Sequence, residues 1–185
     1  KNALFAGANL SDGDFTGADI TGADLSNANL SFAVFVNAVA VKAKFYGASG
    51  EQPVFGYAML EGSVADKNTL INEGRFTHTN FTGSCWEGAR LPSAQMVSAI
   101  LDRSDFSACE LQHAVMVFAS ARYTNFSKAD LSSVNMSAIN LLKGSLRKSN
   151  LTRTDLKFSN LFGVDFYKAK LEKTRLTGAN IKRTI

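Results

Sequence analysis

Cysteine and proline are nearly absent from this chain, with 2 of each in 185 residues. Two cysteines cannot build a disulfide framework, and two prolines exclude a collagen-like or proline-rich chain. Long hydrophobic runs are missing as well. The longest, Ala114 to Ala119, falls far short of the ~18 apolar residues that suggest a membrane span. No zinc-ligand spacing, glycine-rich phosphate loop or nucleophile elbow occurs. The chain starts at Lys1 without a charged-then-apolar presequence, so a targeting segment is expected to have been removed, or the chain to be part of a longer one. What is present suffices for a core: 45% of residues are apolar and 19% charged, outside the range of disordered chains.

A period of five fills the sequence. Large apolar residues recur at Phe5, Leu10, Phe15, Ile20, Leu25, Leu30 and Phe35, and again at Phe45, Phe55, Leu60 and Leu70. After a shift of one residue, read within 71–75, they resume at Phe76 and run to Ile181, interrupted only at Ala121. In the first register the interruptions are Ala40, Gly50 and Ala65. Two places before this column stands a small residue, as in Ala8, Ala18, Ala23, Ala89, Ala94 and Ala129. Neither the helix period of 3.6 nor the strand period of 2 yields five. Extended backbone sends residues two apart to the same side, so the small and the large residue point inward together. The other three, rich in Asp, Asn, Ser, Thr, Gly and Lys, form an outward corner. Repetition gives a coil that turns every fifth residue and buries its large side chains only against neighbouring coils.

Segments such as Ala8-Asn9-Leu10-Ser11-Asp12, Ala18-Asp19-Ile20-Thr21-Gly22 and Ala23-Asp24-Leu25-Ser26-Asn27 resemble the A-(D/N)-L-x-x unit of the pentapeptide-repeat family. The resemblance covers essentially the whole chain. It implies an all-β fold, a right-handed quadrilateral β-helix of about nine coils with four pentapeptides each, in a single domain over 1–185. At ~4.8 Å per coil such a rod is roughly 40 Å long. Gly47 to Pro53 reads as a loosened region, 47–53. The ends carry no evident cap, so more chain, a partner or a stacked copy is expected there.

A rod with a filled interior lacks the concave, partly dry site that catalysis needs. No catalytic residue, cofactor site or metal site is therefore assigned, and the protein is expected not to be an enzyme. His78 and His113 fall on outward corners, Cys85 points out and Cys109 in. Asp14, Asp19, Asp24, Asp105, Asp130, Asp155 and Asp165 each precede a column position, which suits side chains that bond corner backbone groups.

Charge is uneven. Residues 1–70 hold 4 basic and 7 acidic side chains, whereas 143–185 hold 11 basic and 3 acidic. With twenty residues per coil, as the resemblance implies, Lys128, Lys148 and Lys168 stack with Arg147 beside them, and Arg153 sits under Lys173 with Lys170 close by. This basic ladder is one candidate surface. The other is apolar: Val115, Val117, Phe118 and Phe158 on one side, Leu142 and Phe162 on the adjoining one. Val34, Val36, Val39, Val41, Val54, Tyr57 and Met59 extend these sides toward the N-terminus. Contiguous exposed apolar surface marks an interface.

These readings favour a non-catalytic structural or docking module, a rigid rod whose apolar sides seat on a protein partner or on a second copy. Two alternatives remain: a DNA-mimic regulator of a type II topoisomerase, which the resemblance implies but the basic charge opposes, and a binder of anionic nucleic acid through the C-terminal coils. The resemblance also implies cyanobacterial or chloroplast settings, including the thylakoid lumen, with the cytoplasm as the alternative.

Overall fold

The structure is a computed structural model describing residues 1–185. Nearly every pentapeptide closes with a turn in which the carbonyl of the column residue accepts from the N–H three places on, as between Phe5 and Ala8 at 2.9 Å. The second corner residue takes a left-handed φ at every corner but one, whether it is Gly7 at 70°, Lys128 at 64° or Phe118 at 60°. Such turns demand positive φ at this position, and the repetition of the ladder imposes it even on phenylalanine and lysine.

Between turns, the residue before the column pairs in parallel with the residue twenty further on, from Leu4 with Asp24 to Asn160 with Asn180. Four pentapeptides therefore make one circuit. Almost all of the 131 backbone hydrogen bonds cross corners or join coils, so the coils are tied together without a helix or a long strand. Only Ser49–Glu51 (β1) and Leu70–Asn72 (β2) pair over three consecutive residues, in parallel.

Two expectations are corrected here. The one-residue shift lies earlier than 71–75. Lys44 pairs with Val64, but Ser49 pairs with Leu70, so the extra residue enters between Val64 and Leu70. Ile71 is fully buried and takes the column, whereas Leu70 is only half-buried. The inserted corner is closed by side chains: the Asp66 carboxylate accepts from the N–H of Gly47 at 3.0 Å and of Asn68 at 3.2 Å, and from Thr69 Oγ1 at 3.1 Å. It stands in for the carbonyl that the insertion has displaced. Residues 47–53 are likewise not loosened. They hold β1, and Pro53 is buried.

The core is one column of small and large residues along the axis. Phe15, Phe35, Phe55 and Phe76 stack at 4.8, 4.7 and 5.1 Å between ring centroids. Ala40 and Gly50 share a circuit with Phe45 and Phe55, and Ala121 stands next to Phe126 in the column. Phe76, Phe81, Trp86 and Leu91 fill another circuit with three buried rings, so circuits of this rod pack quite different volumes. Ala65 leaves room for Phe45 and Trp86 to meet at 5.4 Å, although they belong to coils two apart. The Trp86 indole N–H donates to Ser63 Oγ at 3.0 Å. Buried hydroxyls at small positions reach backbone carbonyls, Thr79 to Phe55 at 2.6 Å and Thr154 to Leu131 at 2.7 Å.

Following the pairing divides the exterior into four sides. Side one runs Asp14, Val34, Val54, Arg75, Gln95, Val115, Asn135, Asp155, Arg175, and side two runs Asp19, Val39, Met59, Asn80, Ile100, Ser120, Asn140, Asn160, Asn180. Side three includes Lys44, Val64, Cys85 and Asp165, and side four includes Asn29, Ser49, Arg90 and Lys170.

Candidate interaction surfaces

The corner between sides one and two carries Asn37, Tyr57, His78, Ser98, Phe118, Ala138, Phe158 and Gly178 in successive coils, all but Gly178 tied by the N–H to the next coil. Phe118 and Phe158 are 67% and 69% exposed and stand two coils apart, with Ala138 between them. A Cβ on Gly178 would lie 2.6 Å from the Phe158 ring, so this ring leans onto the coil beyond and only glycine receives it. Tyr57 and His78 stack at 4.7 Å and 14°. The expectation that His78 occupies an outward corner holds, but it belongs to an aromatic row.

Val115 lies on side one between Gln95 and Asn135, and Val117 precedes Phe118 at the corner. Leu142 and Phe162 occupy the next corner, after side two, where the guanidinium of Arg183 sits 5.5 Å from the Phe162 centroid. Asn140 and Asn160, joined side chain to side chain at 3.0 Å, separate Leu142 and Phe162 from Phe118 and Phe158. Toward the N-terminus the two sides do merge: Val34, Val36, Val39, Val54, Tyr57 and Met59 lie on sides one and two and on the corner between. Val41 is one corner further on. Sequence reading passed over Val97 and Ile100, which continue this strip in the fifth circuit; Ile100 is 40% exposed. The signal was there, since Ile100 stands at the outward place that Asp19 and Asp105 fill elsewhere.

The basic candidates divide as well. Lys128, Lys148 and Lys168 occupy one corner in successive coils, and Arg153 and Lys173 the next. Arg147 is not free: it donates to Asp165 at 2.7 Å and lies 4.6 Å from the Tyr167 centroid. Lys168 also rests near that ring, at 5.2 Å, while Lys170 meets Glu172 at 3.5 Å. Burial pushes the Asp165 pKa up, but the bonds from Arg147 and the Tyr167 N–H outweigh it and hold the carboxyl below its ordinary value.

The seven repeat carboxylates act as the sequence suggests. Asp14, Asp19, Asp24, Asp105, Asp130, Asp155 and Asp165 each accept from the N–H two residues on, between 2.8 and 3.1 Å. For Asp14, Asp19 and Asp24 these bonds, with the Thr or Ser hydroxyl of the same residue, lower the pKa. Asp102 serves a different corner, accepting from Ser120 Oγ at 2.7 Å and from the Arg122 N–H and Nε. Cys109 is buried, which pushes its thiol pKa well above the ordinary range, and Cys85 is exposed. Cys85 borders an open depression of about 420 Å³ beside Asp66, Lys67 and Glu87.

A filled solenoid of repeated five-residue turns defines the class: a β-helix-like repeat rod. The chain belongs to the pentapeptide repeat family, whose description, pentapeptide repeats, matches in 8 copies over residues 1–35, 18–49, 75–109, 99–137 and 139–184. Among solved structures it is similar to full-length QnrB1, a plasmid-mediated fluoroquinolone resistance protein, at 18% identity and a TM-score of 0.54, over 96% of this chain and 91% of that one. A trypsin-treated QnrB1 variant gives 16% identity and 0.58, over 97% and 85%. HetL of the cyanobacterium Nostoc, involved in heterocyst differentiation regulation, gives 22% identity and 0.44, over 99% and 86%. No curated protein sequence matches the chain.

Proposed function

We propose that this chain is a non-catalytic docking rod: a single domain over 1–185, wound as a right-handed quadrilateral β-helix of about nine coils, that holds a protein partner against one side. The observation that carries this reading is the apolar strip of Val34, Val36, Tyr57, Met59, Val97, Ile100, Val117 and Phe118 on two adjoining sides. Tyr57 is 59% and Met59 45% exposed. Single exposed apolar residues are ordinary, but a strip carried by four of five successive coils marks an interface. The stiffness of the ladder supports the reading, because a pre-ordered surface loses little entropy on association.

The test is capture of partners by the full chain, followed by reconstitution from purified components at 0.1 and 1 M salt. Docking through the strip predicts a stoichiometric complex that survives high salt and is lost with Phe118→Asp. Binding of DNA or RNA that collapses with salt and with Lys128→Glu and Lys148→Glu would transfer the function to the basic corner. Inhibition of gyrase supercoiling by the purified rod would favour mimicry instead.

A further inference from the structure

The strip and the charges around it share one asymmetry. Circuits are numbered here from the N-terminus by their side-one residue, Asp14 first and Arg175 ninth. The first circuit presents Asp14 and Asp19 on the two sides. The second and third present Val34, Val36, Val39, Val54, Tyr57 and Met59. The fifth and sixth present Val97, Ile100, Val115, Val117 and Phe118. The eighth and ninth present Lys157 and Arg175, of which Arg175 is held to Asp155 only through an exposed contact of 3.4 Å. Lys1 meets Asp19 at 3.4 Å, and the exposed Arg75 of the fourth circuit interrupts the apolar stretch on side one; apart from these the order along the rod is acidic, apolar, basic.

We infer that the strip is covered by a second copy of this chain lying antiparallel, about a two-fold axis through the fifth circuit at Val97 and Ile100. This rests on the docking reading and names its partner. An isologous pair brings each residue opposite the one equally far on the other side of the axis. Asp14 and Asp19 of each copy then face Arg175 of the other, and Lys157 comes within one circuit of them. Tyr57, a large knob, faces Ala138, and His78 faces Phe118. Val97 and Ile100 face themselves. A parallel arrangement would instead set acidic end on acidic end, basic on basic, and Phe118 on Phe118. Opposite-charge ends steer and fix the register, while the apolar centre supplies the affinity.

Sedimentation of the full chain tests the inference, with cross-linking to read its geometry. A dimer is expected, weakened little by 1 M salt. Ile100→Asp should raise its dissociation constant at least tenfold, since the residue occurs twice beside the axis. This variant should fold, because aspartate is what the repeat carries at that outward place in Asp19 and Asp105; an unchanged thermal melt checks it. Lys157→Glu with Arg175→Glu should weaken the dimer at low salt, and adding Asp14→Lys and Asp19→Lys should restore it. With Cys85→Ser as background, Val97→Cys should form a disulfide-linked dimer on mild oxidation, whereas Ser127→Cys, on a corner away from the strip, should not. A monomer at every concentration, a dimer indifferent to Ile100→Asp, or equal cross-linking from both cysteines overturns the inference. If the chain is monomeric yet still binds another protein in a Phe118-dependent way, docking stands and the second copy falls. If no variant alters any association, both fall.

Discussion

In the coils up to Trp86 the interior is aromatic, with Phe15, Phe35, Phe55 and Phe76 stacked in one column and Phe45 meeting Trp86 across Ala65. From Leu141 to Leu161 every column position is leucine. Outside, the contrast continues: the first coils are acidic and then apolar, the last basic. Apart from the corner inserted between Val64 and Leu70, the backbone repeats the same pairing in both regions. The ladder therefore tolerates different fillings, from Ala40 and Gly50 beside Phe45 and Phe55 to Phe76, Phe81, Trp86 and Leu91 in one circuit. Surface chemistry varies freely because corner side chains contribute little to the ladder that holds them.

The comparison is broken most strongly from inside. Phe55→Ala removes a ring stacked on both neighbours and should destabilise the protein by about 3–5 kcal/mol, measured by denaturant unfolding. Leu151→Ala, in the leucine region, should lose about 1 kcal/mol less, since it leaves a smaller cavity. Overfilling the aromatic region is the next largest effect. A Cβ on Gly50 would lie 2.8 Å from the backbone of Leu30, so Gly50→Ala should cost about 1–3 kcal/mol. At the inserted corner, Asp66→Ala removes the acceptor of the Asn68 N–H and leaves the Gly47 N–H only Thr69 Oγ1 at 3.2 Å, and should cost about 1–2 kcal/mol.

Acid should distinguish the two ends. Asp14, Asp19 and Asp24 have folded pKa values below their ordinary one, so their contribution is complete above the unfolded value and fades as pH falls below about 4. Toward the C-terminus only Asp165 is lowered in the same way, and the corner bonds at Asn150, Asn160 and Asn180 come from amides, which do not titrate. Amide hydrogen exchange at low pH should therefore quicken in the first coils before the last. Equal loss of protection at both ends would show that these carboxylates do not matter to local stability. The smallest effect is expected at the basic corner. Lys148→Gly relieves the left-handed strain but loosens the unfolded chain, and the two should cancel to within about 0.5 kcal/mol.

Much of this was legible in the primary structure, because the repeat is a short-range code: a small and a large inward residue in every five, and Asp or Asn placed to bond the corner N–H. The inward and outward directions of Cys109 and Cys85 followed from the same rule. The position of the insertion did not. Leu70 and Ile71 are both apolar and either could continue the column; only the pairing of Ser49 with Leu70 decides between them. The reading of 47–53 as a loop came from taking Gly50 and Pro53 for turn residues, whereas both are buried and Gly50 pairs with Ile71 twenty-one residues on.

Periodicity by itself determined that this chain winds, which residues fill it and which carboxylates close its corners, since each of these depends on neighbours a few residues apart. Tertiary structure alone decided what shares a side. Phe118 and Phe158 fall in one row with Tyr57 and His78, while Leu142 and Phe162 are set apart by the asparagine ladder, and Arg147 is taken up by Asp165. Such adjacency depends on contacts twenty or twenty-one residues apart, and a single inserted residue changes that spacing for every coil it touches.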